Sequence, residues 1–280
     1  MVKELWHSRE LVWNLIKRDL KTRYKASVLG FFWSFAKPLL LMLILWFVFT
    51  TVIRLPQFKV RNPDFPFALH LLTGILAWTF FTGGLTDAMH SVYINANLVK
   101  KVKLNAMVFP VSSVLANLVN YLLALLVLFG FMAAYRAPFT PYIFLLPLII
   151  LLQTFLMLSF SLILSSLFVF YRDVGSILEI LLTGWFYATP IIYPFWLARN
   201  EIPEKFPQMK WILYVYLVNP LIPIIAGYRR VLFKPLLEPP EMQDGYLLIY
   251  LGYTLILSLI CYFLFKRIFV RCAARFADEL

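Results

Sequence analysis

Five long apolar stretches restrict this chain more than any other feature. They run over Phe31–Ile53, Phe67–Val92, Met107–Ala134, Tyr142–Phe170 and Tyr246–Phe265. Each reaches the roughly twenty residues that a helix needs to cross about 30 Å of hydrocarbon. A helix also satisfies its own backbone groups where no water is present. A sixth stretch, Ser176–Ile192, is a little short and runs into "TPIIYP", whose two prolines stop or bend a helix. Composition agrees: 62% of the 280 residues are hydrophobic and 14% are charged, against about a quarter charged in soluble domains. The sequence predicts an all-α integral membrane protein with six transmembrane helices.

Charge placement sets an orientation. Residues 1–37, 94–106, 170–175 and 266–280 hold 16 Lys/Arg, and residues 54–66, 135–141 and 193–245 hold 10. Cytoplasmic gaps carry the excess, so both termini and the gap around Lys100 are expected in the cytoplasm. The same rule accounts for the net charge of +12 without a nucleic-acid partner. The first thirty residues mix charges with apolar positions and show no cleavable signal pattern. Cys261 and Cys272 form no disulfide framework, and His7, His70 and His90 form no metal cluster. No G-x-x-x-x-G-K-[ST] occurs; Gly83-Gly84 is the nearest glycine pair and no lysine follows at the required spacing. If transport is ATP-driven, the motor is expected on another polypeptide.

Three regions are neither plain spans nor plain loops. Over Ser8–Ala26, Asn14, Lys17, Arg18, Lys21 and Lys25 recur at helical spacing opposite Val12, Leu15, Ile16, Leu20 and Tyr24. This predicts a basic amphipathic helix suited to the cytoplasmic membrane surface. The second region is "NANLVKKVKLNAMVFP" (Asn95–Pro110), a short gap carrying Lys100, Lys101 and Lys103. From composition alone these lysines read as topology anchors beside anionic lipid. The third is Tyr193–Gly245, whose "WILYVYLVNPLIPIIAGY" (Trp211–Tyr228) is cut by Pro220 and Pro223 into two short helical pieces. These are expected to dip into the outer leaflet or to pack on the spans.

The blocks "RDLKTRYKASVLGFFWSFAKPLL" (Arg18–Leu40), "NANLVKKV" (Asn95–Val102), "YRDVGSILEILLTGWFYATPIIYP" (Tyr171–Pro194), "NPLIPIIAGYRRVLF" (Asn219–Phe233) and "RFADEL" (Arg275–Leu280) occur in this order. Together they strongly resemble the ABC-2 type permeases that export polysaccharides, among them O-antigen, capsule and teichoic-acid exporters. The resemblance implies a half-transporter in the cytoplasmic (inner) membrane, acting as a homodimer on a lipid-linked polysaccharide. It implies two copies of a separate ABC ATPase subunit, which bind ATP and Mg; this chain is expected to bind no cofactor. It divides the chain into an interface helix (1–30, with Lys17, Arg18, Lys21, Arg23 and Lys25), a transmembrane domain (31–265) and a basic tail (266–280). It implies that Asn95, Asn97, Lys100, Lys101, Lys103, Arg172 and Asp173 couple to the ATPase, and that Trp211, Asn219 and Pro220 belong to an outer gate. After the paired lysines the family commonly has an aromatic–Pro and an Arg–Glu pair, which "KLNAMVF" lacks.

Single residues carry further expectations. Asp173 is placed to cap the fifth span with its carboxylate; Arg172 could instead meet the ATPase or an anionic head group. Asp87 and Glu179 fall within apolar segments near the interface, where hydration or local pairing is favoured over a proton relay. Most of the aromatics belong to interfacial belts and packing. Phe32, Trp33 and Phe35 on span 1, with Trp185, Phe186, Tyr187 and Tyr193 in span 5, sit on the two spans that the resemblance assigns to the pore, and are candidate glycan-channel rings because sugar C–H faces pack on aromatic faces. Three rivals share parts of this reading. They are an ABC-2 permease for a small lipid or drug, a secondary transporter, and a membrane-embedded transferase. The secondary transporter is disfavoured by the lack of internal repeats and of mid-membrane charge, and the transferase by the lack of convergent acid and base groups.

Overall fold

The computed structural model describes residues 8–24, 32–52, 67–101, 105–137, 140–205, 207–209, 211–233, 242 and 244–280. The helices, in chain order, are α1 (Arg9–Tyr24), α2 (Trp33–Phe47, prolonged by a π turn at Val48–Val52), α3 (Phe67–Ile94) and α4 (Ala96–Lys101). Then come α5 (Val108–Ala134), α6 (Leu146–Phe170, entered through a 3-10 turn at Pro141–Leu145), α7 (Val174–Tyr187) and α8 (Phe195–Lys205). The last four are α9 (Trp211–Leu217), α10 (Leu221–Phe233), α11 (Asp244–Ala273) and α12 (Phe276–Glu279).

Among the described residues, α3, α5, α6 and α11 are long and apolar enough to cross a membrane. The α9–α10 pair makes a fifth span only if its two pieces, bent by 69°, are counted together. Two further helices, α2 and α7, are shorter and apolar. With 14 residues α7 is about 21 Å long, short of a hydrocarbon core of about 30 Å. It ends at Tyr187, three residues before Pro190, which has no N–H to continue the ladder. The break between α9 and α10 falls at Val218–Pro220. Pro223 lies inside the first turn of α10, where an absent amide proton costs little.

Helix α3 is the central element, packed on α5 and α6, while α11 packs on α6 and turns Ile249, Ile256, Ile260 and Phe263 outward. Small residues on α3 let its neighbours approach: a Cβ on Gly84 would stand 2.0 Å from the Met157 sulfur. Buried polar groups are tied across the bundle. Gln153 of α6 donates to the Ala77 carbonyl (2.7 Å) and accepts from the Tyr228 hydroxyl of α10 (2.7 Å). Helix α5 stops because Arg136 adopts φ 53°, and the Ala137 amide then closes on the Met132 carbonyl at 2.8 Å.

Apolar packing falls into three clusters. The largest fills the bundle and includes most of α10, so the second of the two short helices is packed on the spans. Another joins α1, α4, the start of α5, the end of α11 and α12. The third holds Phe195, Ile222, Ala226, Met242 and Leu247 together.

Candidate functional site

A groove of about 910 Å³ runs the length of α7, between that helix, α2 and α3. From α3 it takes Trp78, Thr79, Thr82, Thr86, Met89 and His90, a single face at three- and four-residue spacing. From α7 and its flanks it takes Arg172, Ser176, Glu179, Thr183, Phe186 and Tyr187. The threonine hydroxyls donate to carbonyls on their own helices: Thr79 to Leu76 (3.1 Å), Thr82 to Trp78 (3.1 Å) and Thr183 to Glu179 (2.9 Å). Their lone pairs stay available to a guest. Phe186 meets Trp78 edge-on at 5.6 Å and Tyr187 at 5.3 Å. The Arg172 guanidinium lies over the Tyr93 ring, 4.9 Å from its centroid.

The structure separates the aromatic candidates. Phe186 and Tyr187 line the groove. Trp185 points the other way, edge-on to Phe81 (5.4 Å) and Phe160 (6.3 Å). Tyr193 donates to the Tyr187 carbonyl at 2.9 Å. Burial pushes its phenol up, offset in part by the hydrogen bond from Tyr216. Phe32 and Trp33 are exposed at the start of α2, outside the groove lining; the Phe35 side chain lies outside the described residues. Asp173 does stand before α7, but its backbone is helical and its carboxylate makes no cap bond. The carbonyls of Tyr171 and Arg172 accept the Val174 and Gly175 amides instead (3.3 and 3.1 Å).

At the far end of α7, Asn219 ties the bend between α9 and α10 to the groove helix. Its Oδ1 accepts from Trp185 Nε1 (2.9 Å) and the Leu221 amide (3.0 Å), and its Nδ2 donates to Thr189 Oγ1 (2.9 Å). Pro220 is buried in this bend, whereas Trp211 is exposed. Beside it stands a residue that sequence reasoning counted among loop charges: Arg229 of α10 has no solvent exposure. Its guanidinium donates to the carbonyls of Pro190 (2.8 Å) and Ile191 (2.8 Å), which follow the broken helix end in apolar surroundings, and to that of His70 in α3 (3.3 Å).

At the opposite end, α1 does not simply lie on lipid. Leu15 and Ile16 are buried, with α1 packed on α5. Arg18 Nη1 donates to Asn95 Oδ1 at 2.7 Å, linking α1 to the start of α4. Asn95 in turn donates to the Ser91 carbonyl (2.7 Å) and accepts the Leu98 and Val99 amides on its own carbonyl. Asn97, Lys100 and Lys101 are exposed along α4, as are Lys17 and Lys21 on α1. Lys25, Lys103 and the Arg23 side chain lie outside the described residues. A second cleft, about 540 Å³, includes Arg18, Asp19, Asp87, His90 and Asn95. There Asp87 accepts from Asn117 Nδ2 at 2.7 Å, a local pairing across α3 and α5. The threonine stripe and Arg229 went unread in the sequence. The stripe left a signal, hydroxyls at helical spacing in an apolar run; Arg229 left none.

A multi-pass helical bundle with a groove of rings and hydroxyls along a short helix and a bent helix pair is the scaffold of a membrane transport subunit. Residues 10–233 match the family described as ABC-2 type transporter, and the chain belongs to that family. It is 32% identical over 241 residues to the O-antigen export system permease protein RfbA of Myxococcus xanthus, covering 86% of this chain and 87% of that protein. Two Klebsiella pneumoniae proteins of the same name are 32% and 33% identical, over 80% and 77% of this chain and the same shares of theirs. This chain is thus the permease subunit of an ABC transporter, and an ATPase partner drives it.

Proposed function

We propose that this permease exports a lipid-linked polysaccharide, such as an O-antigen, across the cytoplasmic (inner) membrane. The observation that carries the reading is the groove along α7. It gathers ring faces (Trp78, Phe186, Tyr187) at the Tyr187 end and sets hydroxyl acceptors (Thr79, Thr82, Thr183) beside and beyond them. Sugar C–H faces pack on the rings and sugar hydroxyls donate to the threonines, so a glycan can slide without one tight site. Arg172 and His90 at one end of the groove supply the donors that an anionic head group needs. The relatives' shared name, O-antigen export, supports the same substrate class.

In this reading α2 and α7 complete six spans, both termini are cytoplasmic, and two copies form the pore. Two ATPase subunits bind ATP and Mg and contact the permease through Asn95–Lys101, with Lys103, Arg172, Asp173 and the basic face of α1 beside them. ATP binding presses on α4 and α1 and shifts the α7 helices of the two copies relative to each other. The α9–α10 bend at Asn219 and Pro220 gates the outer end, and hydrolysis resets the pair.

The test is transport by the reconstituted transporter of a lipid-linked glycan into sealed vesicles, beside that of a small amphiphile. Phe186→Ala should slow glycan transport roughly 5-fold, because one ring contact is worth about 1 kcal/mol, with ATP hydrolysis retained. Export of the amphiphile alone, with no glycan crossing, overturns the proposal in favour of a small-lipid or drug permease.

A further inference from the structure

We propose that the C-terminal helix α12 is a strut that carries displacement of α4 to the base of the groove helix α7. The proposal rests on the reading of α4 as the element the ATPase presses. Helix α4 has six residues, none of them buried, so it cannot hold its own position. Its substantial packing among the described residues is on α3, which it continues, and on α12; it has no comparable packing on α7. A push on α4 therefore needs an intermediary to reach the groove.

Helix α12 is suited to that part. Phe276 has no solvent exposure although it belongs to a four-residue helix at the end of the chain. Its ring stands 5.4 Å from Phe269 at 85° and 6.1 Å from Phe170. Leu98 and Val99 of α4, with Leu280, pack against the same cluster. Phe170 is the last residue of α6, and the next three residues lead into α7. The turn is held from a second side: Phe168 meets Tyr93 edge-on at 5.9 Å, and Arg172 lies over that same ring. A close-packed ring cannot be compressed, so movement of α4 toward Phe276 must be taken up by the turn below α7. The Arg18–Asn95 bond holds the other end of α4, making it a short lever fixed at its origin.

The experiment uses the whole transporter with its ATPase in vesicles, spin-labelled at L181C on the exposed side of α7, with Cys261 and Cys272 replaced by serine. It measures ATP hydrolysis and the ATP-driven change in the distance between the labels of the two copies. F276A should keep hydrolysis within about two-fold of the unsubstituted chain yet lose most of the distance change. F276L, which refills the cluster, should restore it; F276V, which keeps part of the ring's volume, carries the test where the alanine variant does not assemble. An unaltered distance change in F276A or F276V overturns the strut. So does hydrolysis that falls in proportion to the distance change across the series, which marks a role in assembly alone. Glycan transport measured in parallel separates the two proposals: motion with ATP but no glycan crossing refutes the substrate and leaves the strut standing.

Discussion

The residue with most at stake in the bundle is Arg229. A buried cation survives among apolar helices only where its charge is spread over strong acceptors. Here the acceptors are carbonyls freed because α7 stops before Pro190. Removing the guanidinium strands them, and hydrogen bonds to charged groups are each worth about 1.5–3 kcal/mol. Arg229→Ala is therefore expected to lower the thermal midpoint of the purified permease clearly. Arg229→Lys should recover only part, because an ammonium lacks the planar fork that reaches three carbonyls. Gly74 gives an independent check. A Cβ there would stand 2.9 Å from Arg229 Nη2 and 3.0 Å from the Ile191 carbonyl, so Gly74→Ala should cost about 1–3 kcal/mol by displacing the same clamp. Gly130→Ala, with nothing within 4 Å, should not destabilise. Equal midpoints for the Gly74 and Gly130 variants would count against the clamp.

At the scale of elements, what the sequence foretold and what it missed divide by range. Helix α3 and the stop at "TPIIYP" were legible, because apolar length and proline chemistry act within a few residues. The two short pieces α9 and α10 were legible from the prolines, though the break falls at Pro220 alone, and Pro223 is tolerated within the first turn of α10. Asp173 stands where a cap was expected, yet it makes none, because its φ and ψ of −63° and −19° are helical rather than extended. The partners of Arg229 lie 38 to 159 positions away, beyond any periodicity. The groove was legible only by halves: Phe186 and Tyr187 were singled out, but the threonines facing them from α3 were not. Helix α4 carries a prediction of its own. Lys100 and Lys101 are exposed in the last turn of α4. Lys100→Glu with Lys101→Glu should leave the thermal midpoint unchanged and weaken ATPase binding at least 10-fold at low salt. The defect should narrow at high salt, where the repulsion is screened. Binding by size-exclusion chromatography at two ionic strengths checks both parts.

For the whole molecule, the open side of the groove decides the assembly. Helix α7 presents Glu179 and Thr183 to the groove, with Arg172 just before it, while Ile180 is exposed at the groove's rim and Ile177 and Leu181 farther round the helix. Lipid would cover the isoleucines at no cost, but a carboxylate and a guanidinium along a helix too short to span cannot face hydrocarbon cheaply. In the proposed two-copy assembly, a second copy with its own groove turned inward would keep both sets of polar groups in a shared aqueous path. The usual closed arrangement is two-fold, in which a residue close to the axis meets its own counterpart. Position 180, 74% exposed on α7, is expected near that axis, whereas position 249, 66% exposed on α11, is expected to face lipid. With Cys261 and Cys272 replaced by serine, I180C should therefore form a disulfide-linked dimer in native membranes and I249C should not. The reverse pattern would place α11 between the copies and leave each groove a separate channel. Pairing at position 180 would instead join two grooves of about 910 Å³ along one axis, giving a path with rings and hydroxyls on both walls between the two α7 helices.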